Sequence, residues 1–214
     1  MTSLPYSTTI KSLVTEENRL FFKQWLKSPI QLGTFAPISL KLAHLAANQL
    51  DITDKTTIVE IGAATGRLTR ALLAKGVNIN KLAMVELDQT MSEFLKASLS
   101  DLYQSKAQPN VIHGNAEALP ELLPTSWIGK VDYVVSTIPL AYMEETMRER
   151  IIQAALDVLN PETGSILHVT YSPVSPIKFM EGELLQKRAV SLWSNIPPGF
   201  VWRFTPKHYP HDFL

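Results

Sequence analysis

The stretch Val59-Glu60-Ile61-Gly62-Ala63-Ala64-Thr65-Gly66 decides the fold. It ends a buried strand, predicted over Thr57–Ile61, and leads into a helix, predicted over Leu68–Lys75. Gly62 and Gly66 let the backbone turn sharply and approach a ligand closely. A dinucleotide-binding turn would carry the spacing G-x-G-x-x-G to seat a pyrophosphate. Here the spacing is G-x-x-x-G and a carboxylate precedes it, which favours a ligand with positive charge.

Strands and helices alternate along the chain after this turn. Strands are predicted at Leu82–Glu86, Val111–His113, Val131–Ser136 and Ser165–Tyr171, and helices at Thr90–Leu102 and Glu144–Leu159. This alternation predicts βαβ crossovers and a parallel sheet with helices on both faces. Ala189–Trp193 and Phe200–Phe204 are strand-like, and the prolines and glycine between them predict an antiparallel hairpin at the sheet edge. The expected fold class is therefore α/β and Rossmann-like.

Two helices are predicted ahead of the sheet. One covers Glu16–Lys27, and the other begins at Ser39, a plausible N-cap, and runs to Leu50. We therefore expect an amphipathic helical segment over residues 1–30 and one ligand-binding domain over residues 31–214.

Composition narrows the classes of function. The 214 residues carry 20 Lys and Arg against 20 Asp and Glu, and this zero net charge argues against extended binding to nucleic acid. The chain has no cysteine, which excludes disulfides and thiolate chemistry. We see no secretory signal and no apolar run long enough to span a bilayer. A cytoplasmic protein, in peripheral contact with the inner face of the membrane, is expected.

Two further polar residues end the next two predicted strands. Glu86, about 20 residues after Gly66, stands where an acid accepts hydrogen bonds from both ribose hydroxyls of a nucleoside. Asn115 follows the third strand, where its amide can bond an adenine edge. Together with Glu60, which suits an ammonium and a sulfonium, they predict S-adenosylmethionine as the cofactor.

At these residues the sequence resembles the class I methyltransferases, over about residues 34–204. Ala64 stands at the family's usual middle glycine, and Asn115 stands where aspartate is common. The resemblance implies seven strands with an antiparallel C-terminal strand. It also implies a set of cofactor-binding residues: Thr34, Glu60, Gly62, Ala63, Ala64, Thr65, Gly66, Glu86, Leu87, Asn115, Ala116 and Ser136.

The segment Ser136-Thr137-Ile138-Pro139-Leu140 narrows the resemblance. The rRNA adenine dimethyltransferases carry Asn-Leu-Pro-Tyr or similar here, so this chain lacks their base-stacking aromatic. It looks closer to the soluble bacterial phospholipid N-methyltransferases, whose motif reads Ser-Gly-Leu-Pro-Leu. Asn195–Pro198 and Val201–Arg203 add to that similarity. The implied reaction is methylation of phosphatidylethanolamine, in one or more steps toward phosphatidylcholine.

Candidate catalytic residues follow from the same segment. The Ser136 and Thr137 hydroxyls, or the carbonyls of their loop, are expected to hold the amine, and two tyrosines to face the methylated product. The full set is Ser136, Thr137, Pro139, Tyr142 and Tyr171. His168 is predicted to be a packed core histidine. His208 and His211 have no third ligand in sight, so we expect no metal site.

The N-terminal helix has two open interpretations. Arg19, Lys23, Trp25 and Lys27 suit a helix lying on anionic lipid, but an ordinary lid packed on the domain fits equally well.

Two rival functions also stay open. One is an rRNA or other nucleic-acid N-methyltransferase, and the other is a non-catalytic cofactor-binding partner protein.

Overall fold

A seven-stranded sheet forms the centre of the computed structural model, which describes residues 38–103, 109–177 and 182–207. Its strands are β1 (Ile58–Ile61), β2 (Leu82–Glu86), β3 (Asn110–His113), β4 (Tyr133–Ser136), β5 (Ser165–Thr170), β6 (Leu184–Leu192) and β7 (Gly199–Pro206). Their order is β3-β2-β1-β4-β5-β7-β6. β1 to β5 pair in parallel, whereas β7 is antiparallel to both β5 and β6. The predicted mainly parallel sheet with an antiparallel C-terminal strand is confirmed.

The described residues also form five α-helices and four short 3-10 helices, all of them between strands except the first α-helix, which precedes β1. The α-helices are α1 (Leu40–Ala47), α2 (Arg67–Ala74), α3 (Gln89–Tyr103), α4 (Leu119–Leu122) and α5 (Glu145–Val158). The predicted cap of α1 is present, since the Ser39 hydroxyl accepts from the Leu42 N–H at 3.2 Å. The predicted helix at Glu16–Lys27 lies outside the described residues, as do Thr34, His208 and His211.

The core has two layers, one on each face of the sheet. Because side chains alternate along a strand, Ile58 and its neighbour Val59 face opposite layers. The first layer packs against α1, α2 and α3, and the second against α4 and α5. Both faces are covered, which is why the central strands read as nearly continuous apolar runs.

The first residues of two strands, β6 and β4, differ from the sequence prediction by more than one position. β6 begins at Leu184 rather than Ala189, and a register shift lies between Arg188 and Val190. Charged, outward-facing side chains are typical of edge strands. Because the first half of β6 carries such side chains, the sequence pattern did not predict it as a strand. β4 begins at Tyr133, because Val131 forms only an isolated bridge with Leu159.

The strand order places a crevice at the carboxyl ends of β1 and β4. From β1 the connections lead to β2 and β3 on one side, and β4 and β5 lie on the other. Ligands of open α/β sheets bind at such a reversal of strand order.

Candidate active site

A cavity of about 290 Å³ occupies this crevice. Most of the predicted site residues line it, from the turn after β1, the end of β2, the segment after β3 and the loops after β4 and β5. They are Glu60, Gly62, Ala63, Ala64, Thr65, Glu86, Leu87, Asn115, Ala116, Thr137, Pro139, Tyr142 and Tyr171. The sequence thus identified residues that the fold brings together from five strands.

The turn after β1 needs left-handed backbone at three positions. The φ angles are 76° at Gly62, 46° at Ala64 and 86° at Gly66. Gly66 does not line the cavity, but a Cβ there would lie 2.4 Å from Leu95 Cδ1, so glycine also serves close packing. Ala64 adopts the left-handed conformation where the family has glycine, and its N–H donates to Glu86 Oε2 at 2.7 Å. This hydrogen bond fixes the turn despite the alanine.

Glu60 is a fully buried carboxyl in the cavity wall. Thr69 Oγ1 of α2 donates to its Oε2 at 2.7 Å, while Oε1 is buried with no hydrogen-bond partner among the described residues. Burial is the main cause that raises the pKa of Glu60 to about 8, against the lowering effect of the Thr69 hydrogen bonds. A cationic ligand group beside Oε1 would supply the missing partner and favour the ionised form.

Glu86 lines the cavity and connects the turn after β1 to the segment after β2. Its Oε2 accepts from Ala64 N–H, and its Oε1 accepts from Asp88 N–H at 2.9 Å. Burial raises the pKa of Glu86, while these backbone hydrogen bonds lower it. Each carboxylate oxygen can accept more than one hydrogen bond, so both can still receive a ribose hydroxyl.

Asn115 is held differently from the prediction. Its side-chain oxygen accepts from Glu117 N–H at 3.1 Å and caps a 3-10 helix, and its Nδ2 donates to Glu117 Oε1 at 3.1 Å. Glu117 is in turn ion-paired with Arg150 of α5, which lowers the pKa of that carboxyl. Asn115 lines the cavity with its amide engaged locally, so adenine recognition by this amide stays a prediction.

The loop after β4 separates the two hydroxyls that the sequence grouped together. Thr137 lines the cavity, and its Oγ1 donates to the Gly62 carbonyl at 2.6 Å. Ser136 is not among the cavity-lining residues: it is buried and lies 3.2 Å from His168 Nδ1. Ser136 ends β4 in the core, whereas Thr137 begins the following loop, so contact of Ser136 with the amine or the cofactor stays a prediction.

His168 is a core histidine, as predicted. It is fully buried on β5, and burial lowers its pKa to about 3. An imidazole that stays neutral in the core and faces away from the cavity does not act as the base.

The two predicted tyrosines border the cavity in different ways. Tyr142 ends a 3-10 helix and is 77% exposed at the rim. Tyr171 follows β5 and is half-buried; burial raises its pKa, partly offset by hydrogen bonds from the Ser39 backbone and the Asn195 side chain. Asn195 thereby links the β6–β7 connection to the cavity.

Several lining residues were missed from sequence. Three apolar residues line the cavity from the segment before α5 and from α5 itself: Met143, Met147 and Ile151. Their spacing of four residues is a helical-face signal that was available. Arg67, the first residue of α2, lines the cavity too and donates to the Ile38 carbonyl at 3.0 Å. Nothing local distinguishes Arg67 from a solvated arginine.

These residues fit S-adenosylmethionine. The ligand bears an ammonium and a sulfonium, which match the buried Glu60 oxygen that lacks a partner. It also bears a ribose, which matches the two oxygens of Glu86, and the turn between them has the left-handed geometry that permits close approach.

Comparison with known proteins finds methyltransferases. Residues 58–162, just under half of the chain, match the family described as "Methyltransferase domain". An ornithine lipid N-methyltransferase of Singulisphaera acidiphila is 22% identical over 72% of this chain and 78% of its own length. A probable ribosomal RNA small subunit methyltransferase A of Haloquadratum walsbyi is 38% identical, but over 41% of this chain and only 28% of its own length.

Solved structures share the fold at low identity. A TehB-like SAM-dependent methyltransferase from Corynebacterium glutamicum has a TM-score of 0.56 at 16% identity, covering 88% of this chain and 97% of its own. A SAM-dependent methyltransferase from Aquifex aeolicus has a TM-score of 0.58 at 13% identity, covering 76% and 88%.

The fold is that of the class I methyltransferases, and residues 58–162 match the methyltransferase domain. This chain is an S-adenosylmethionine-dependent enzyme that transfers methyl groups. No helix within the described ranges is long and apolar enough to cross a bilayer.

Proposed function

We propose that this enzyme methylates the head-group amine of phosphatidylethanolamine at a membrane surface, in one or more steps toward phosphatidylcholine. The observation that carries the proposal is the chemistry of the cavity on its β4–β5 side. On that side, the described side chains that line the cavity are apolar or carry a hydroxyl. They include Pro139, Tyr142, Thr170, Tyr171, Ser172 and Pro197. The lining carboxylates all belong to the β1–β3 side: Glu60, Glu86 and Glu117.

This division of charge suits an amine nucleophile. A carboxylate beside the amine would hold it in its protonated, unreactive form, whereas an apolar surrounding lowers the pKa of an ammonium. The β4–β5 side therefore favours the neutral amine without a dedicated base. The rings of Tyr142 and Tyr171 are available to contact the cationic methylated head group.

The loop after β4 supports a lipid rather than a nucleobase. Leu140 stands where an aromatic would stack on a flipped base, and its side chain is fully buried. An aliphatic residue packed into the core offers no stacking platform. The relative that aligns over most of its length is named for a lipid amine, whereas the rRNA relatives align over 28% and 26% of theirs.

The chain's residues then have distinct tasks. S-adenosylmethionine, when bound, supplies an electrophilic methyl group on a sulfonium. Glu60 and Glu86 would bind and orient the cofactor. Thr137 holds the loop after β4 against the turn after β1. Pro139 and the two tyrosines would position the amine and exclude water, so the contribution is mainly orientation and desolvation.

We further propose that residues 1–30 form a membrane-contact segment separate from the domain over residues 31–214. Arg19, Lys23, Trp25 and Lys27 would face anionic lipid, since each cation near such a surface contributes about 1 kcal/mol. Sedimentation with anionic vesicles tests this. A chain lacking residues 1–27 that stays folded should bind less, and unchanged binding would exclude the segment as a contact.

The deciding experiment offers radiolabelled S-adenosylmethionine and three acceptors in parallel. These are vesicles containing phosphatidylethanolamine, vesicles containing ornithine lipid, and rRNA stripped of protein. Label in phosphatidylethanolamine, absent with a Glu86→Ala variant, would establish the proposal, and chromatography would count the methyl groups. Label only in ornithine lipid would keep the lipid-amine class and change the substrate. Label only in RNA would overturn the proposal.

A further inference from the structure

The connection between β6 and β7, residues 193–198, carries exposed apolar side chains at the edge of the cavity; we call it the mouth turn. Ile196 is 98% exposed and Trp193 is 68% exposed. Pro197, between them and β7, lines the cavity itself. Isolated exposed apolar residues are common, but an aliphatic and an aromatic tip beside a ligand site indicate contact with an apolar phase.

Contacts with β7 and α1 hold the base of the mouth turn in place, while Trp193 and Ile196 remain exposed to solvent. The Trp193 ring meets Phe200 of β7 edge-on, with 5.5 Å between ring centres. Asn195 Nδ2 donates to the Pro197 carbonyl at 2.6 Å. A Cβ at Gly199 would lie 2.5 Å from Leu42 of α1, which shows how closely the turn's base is seated. A rigid apolar tip loses little conformational entropy when it is buried.

Cations flank the mouth turn. Lys41 Nζ lies 3.2 Å from the Ser194 hydroxyl, and the preceding Leu40 is 49% exposed. The Arg188 guanidinium lies over the rings of Phe200 and Trp202, at 5.8 and 5.6 Å from their centres. Tryptophan at head-group depth with lysine or arginine beside it is the composition of a membrane interface on anionic lipid.

We propose that the mouth turn inserts Ile196 and Trp193 into the head-group layer of an anionic membrane. The cavity then opens at the depth where lipid amines lie, because Pro197 joins the turn to the cavity wall. The biological purpose of this contact rests on the proposed lipid substrate, whereas the contact itself is measurable without any methyl transfer.

The test is sedimentation of the full chain with mixed vesicles of phosphatidylglycerol and phosphatidylcholine. Ile196→Gln should weaken partitioning by roughly tenfold or more, since it removes one fully buried aliphatic side chain from the interaction. Leu102→Gln is the matched control. Leu102 is 59% exposed near the end of α3, which leads back toward the start of β3, at the opposite end of the sheet. That variant should bind like the unmodified protein.

A second measurement does not depend on the Ile196 variant. Brominated lipids should quench the fluorescence of the protein, and the Trp193→Phe variant should show markedly less quenching although it keeps an apolar side chain. Equal quenching of both proteins, or equal binding of the Ile196→Gln and Leu102→Gln variants, would overturn the proposal. Loss of self-association in Ile196→Gln with unchanged vesicle binding would also overturn it and identify a contact between copies.

The two proposals fail separately. Vesicle binding that depends on Ile196, with no label transferred to any lipid, would reject the proposed substrate and keep the membrane contact. If Ile196→Gln leaves both vesicle binding and lipid methylation unchanged, the proposed substrate stands and the proposed membrane contact of the mouth turn is rejected.

Discussion

Replacing Glu60 by glutamine should stabilise the cofactor-free protein at neutral pH. Burial raises the pKa of this carboxyl from 4.5 to about 8. Between those values the unfolded chain has lost its proton and the folded protein has kept it, so the free energy of unfolding falls as pH rises. The free energy of unfolding falls by about 1.4 kcal/mol for each pH unit between the two pKa values. At pH 7 the buried Glu60 therefore lowers the free energy of unfolding by about 3 kcal/mol. Glutamine never titrates and still offers an oxygen to Thr69.

Urea unfolding of both proteins at pH 5 and pH 7, without cofactor, measures the effect. The advantage of Glu60→Gln should grow by about 2 to 3 kcal/mol between the two conditions. An advantage that stays constant with pH would refute the reasoning.

The same substitution should weaken cofactor binding. If the ligand's ammonium pairs with Glu60, binding must ionise that carboxyl, so at pH 7 it releases close to one proton, because most of the free protein is protonated there. Calorimetry in buffers of different ionisation enthalpy counts this proton. Glu60→Gln should release none and bind at least about tenfold more weakly, the value of a single charge-assisted contact. Absence of proton release from the unmodified protein would refute the pairing.

Three further outcomes are expected. Glu86→Ala should lower cofactor affinity at least about tenfold by calorimetry, because it removes a ribose acceptor and the partner of Ala64 N–H; unchanged affinity would contradict the assignment. Gly66→Ala should lower the free energy of unfolding by about 2 kcal/mol or more in urea, since φ is 86° and the new Cβ would lie 2.4 Å from Leu95; a smaller loss would mean that the turn relaxes. His168 has its pKa lowered to about 3, so its contribution is present above pH 6.5 and is lost as pH falls toward 3. Between pH 6.5 and pH 5, His168→Gln should lose about 2 kcal/mol less stability than the unmodified protein, and parallel losses would contradict the lowered pKa.

The cofactor side of the cavity was readable from sequence because its determinants are local. Glycines at fixed spacing, and acids at the ends of successive apolar runs, specify both backbone and chemistry within a few residues. Glu60 and Glu86 accordingly lie in the cavity wall. The parallel pairing of β1 to β5 also follows from the alternation of strands and helices, since each crossover returns the chain to the same end of the sheet.

The acceptor side was harder to read because its residues depend on which face they occupy and what they contact. Ser136 ends β4 beside His168 in the core, whereas Thr137 begins the following loop and lines the cavity. Which of the two hydroxyls reaches the cavity depends on where the strand ends. The Asn115 amide is bound by Glu117, and this contact depends on the 3-10 turn that follows β3.

The hydrogen bond from Thr137 to the Gly62 carbonyl has a consequence for engineering. It ties the loop that would choose the acceptor to the loop that would seat the methyl donor, and Thr137 N–H adds a second tie to Ile61 at 3.1 Å. The two loops therefore behave as a single part. A redesign of acceptor preference through residues 137–140 will shift the Michaelis constants for donor and acceptor together. Selectivity for new amines is more accessible from the β5 and β6–β7 segments, which border the cavity without this tie.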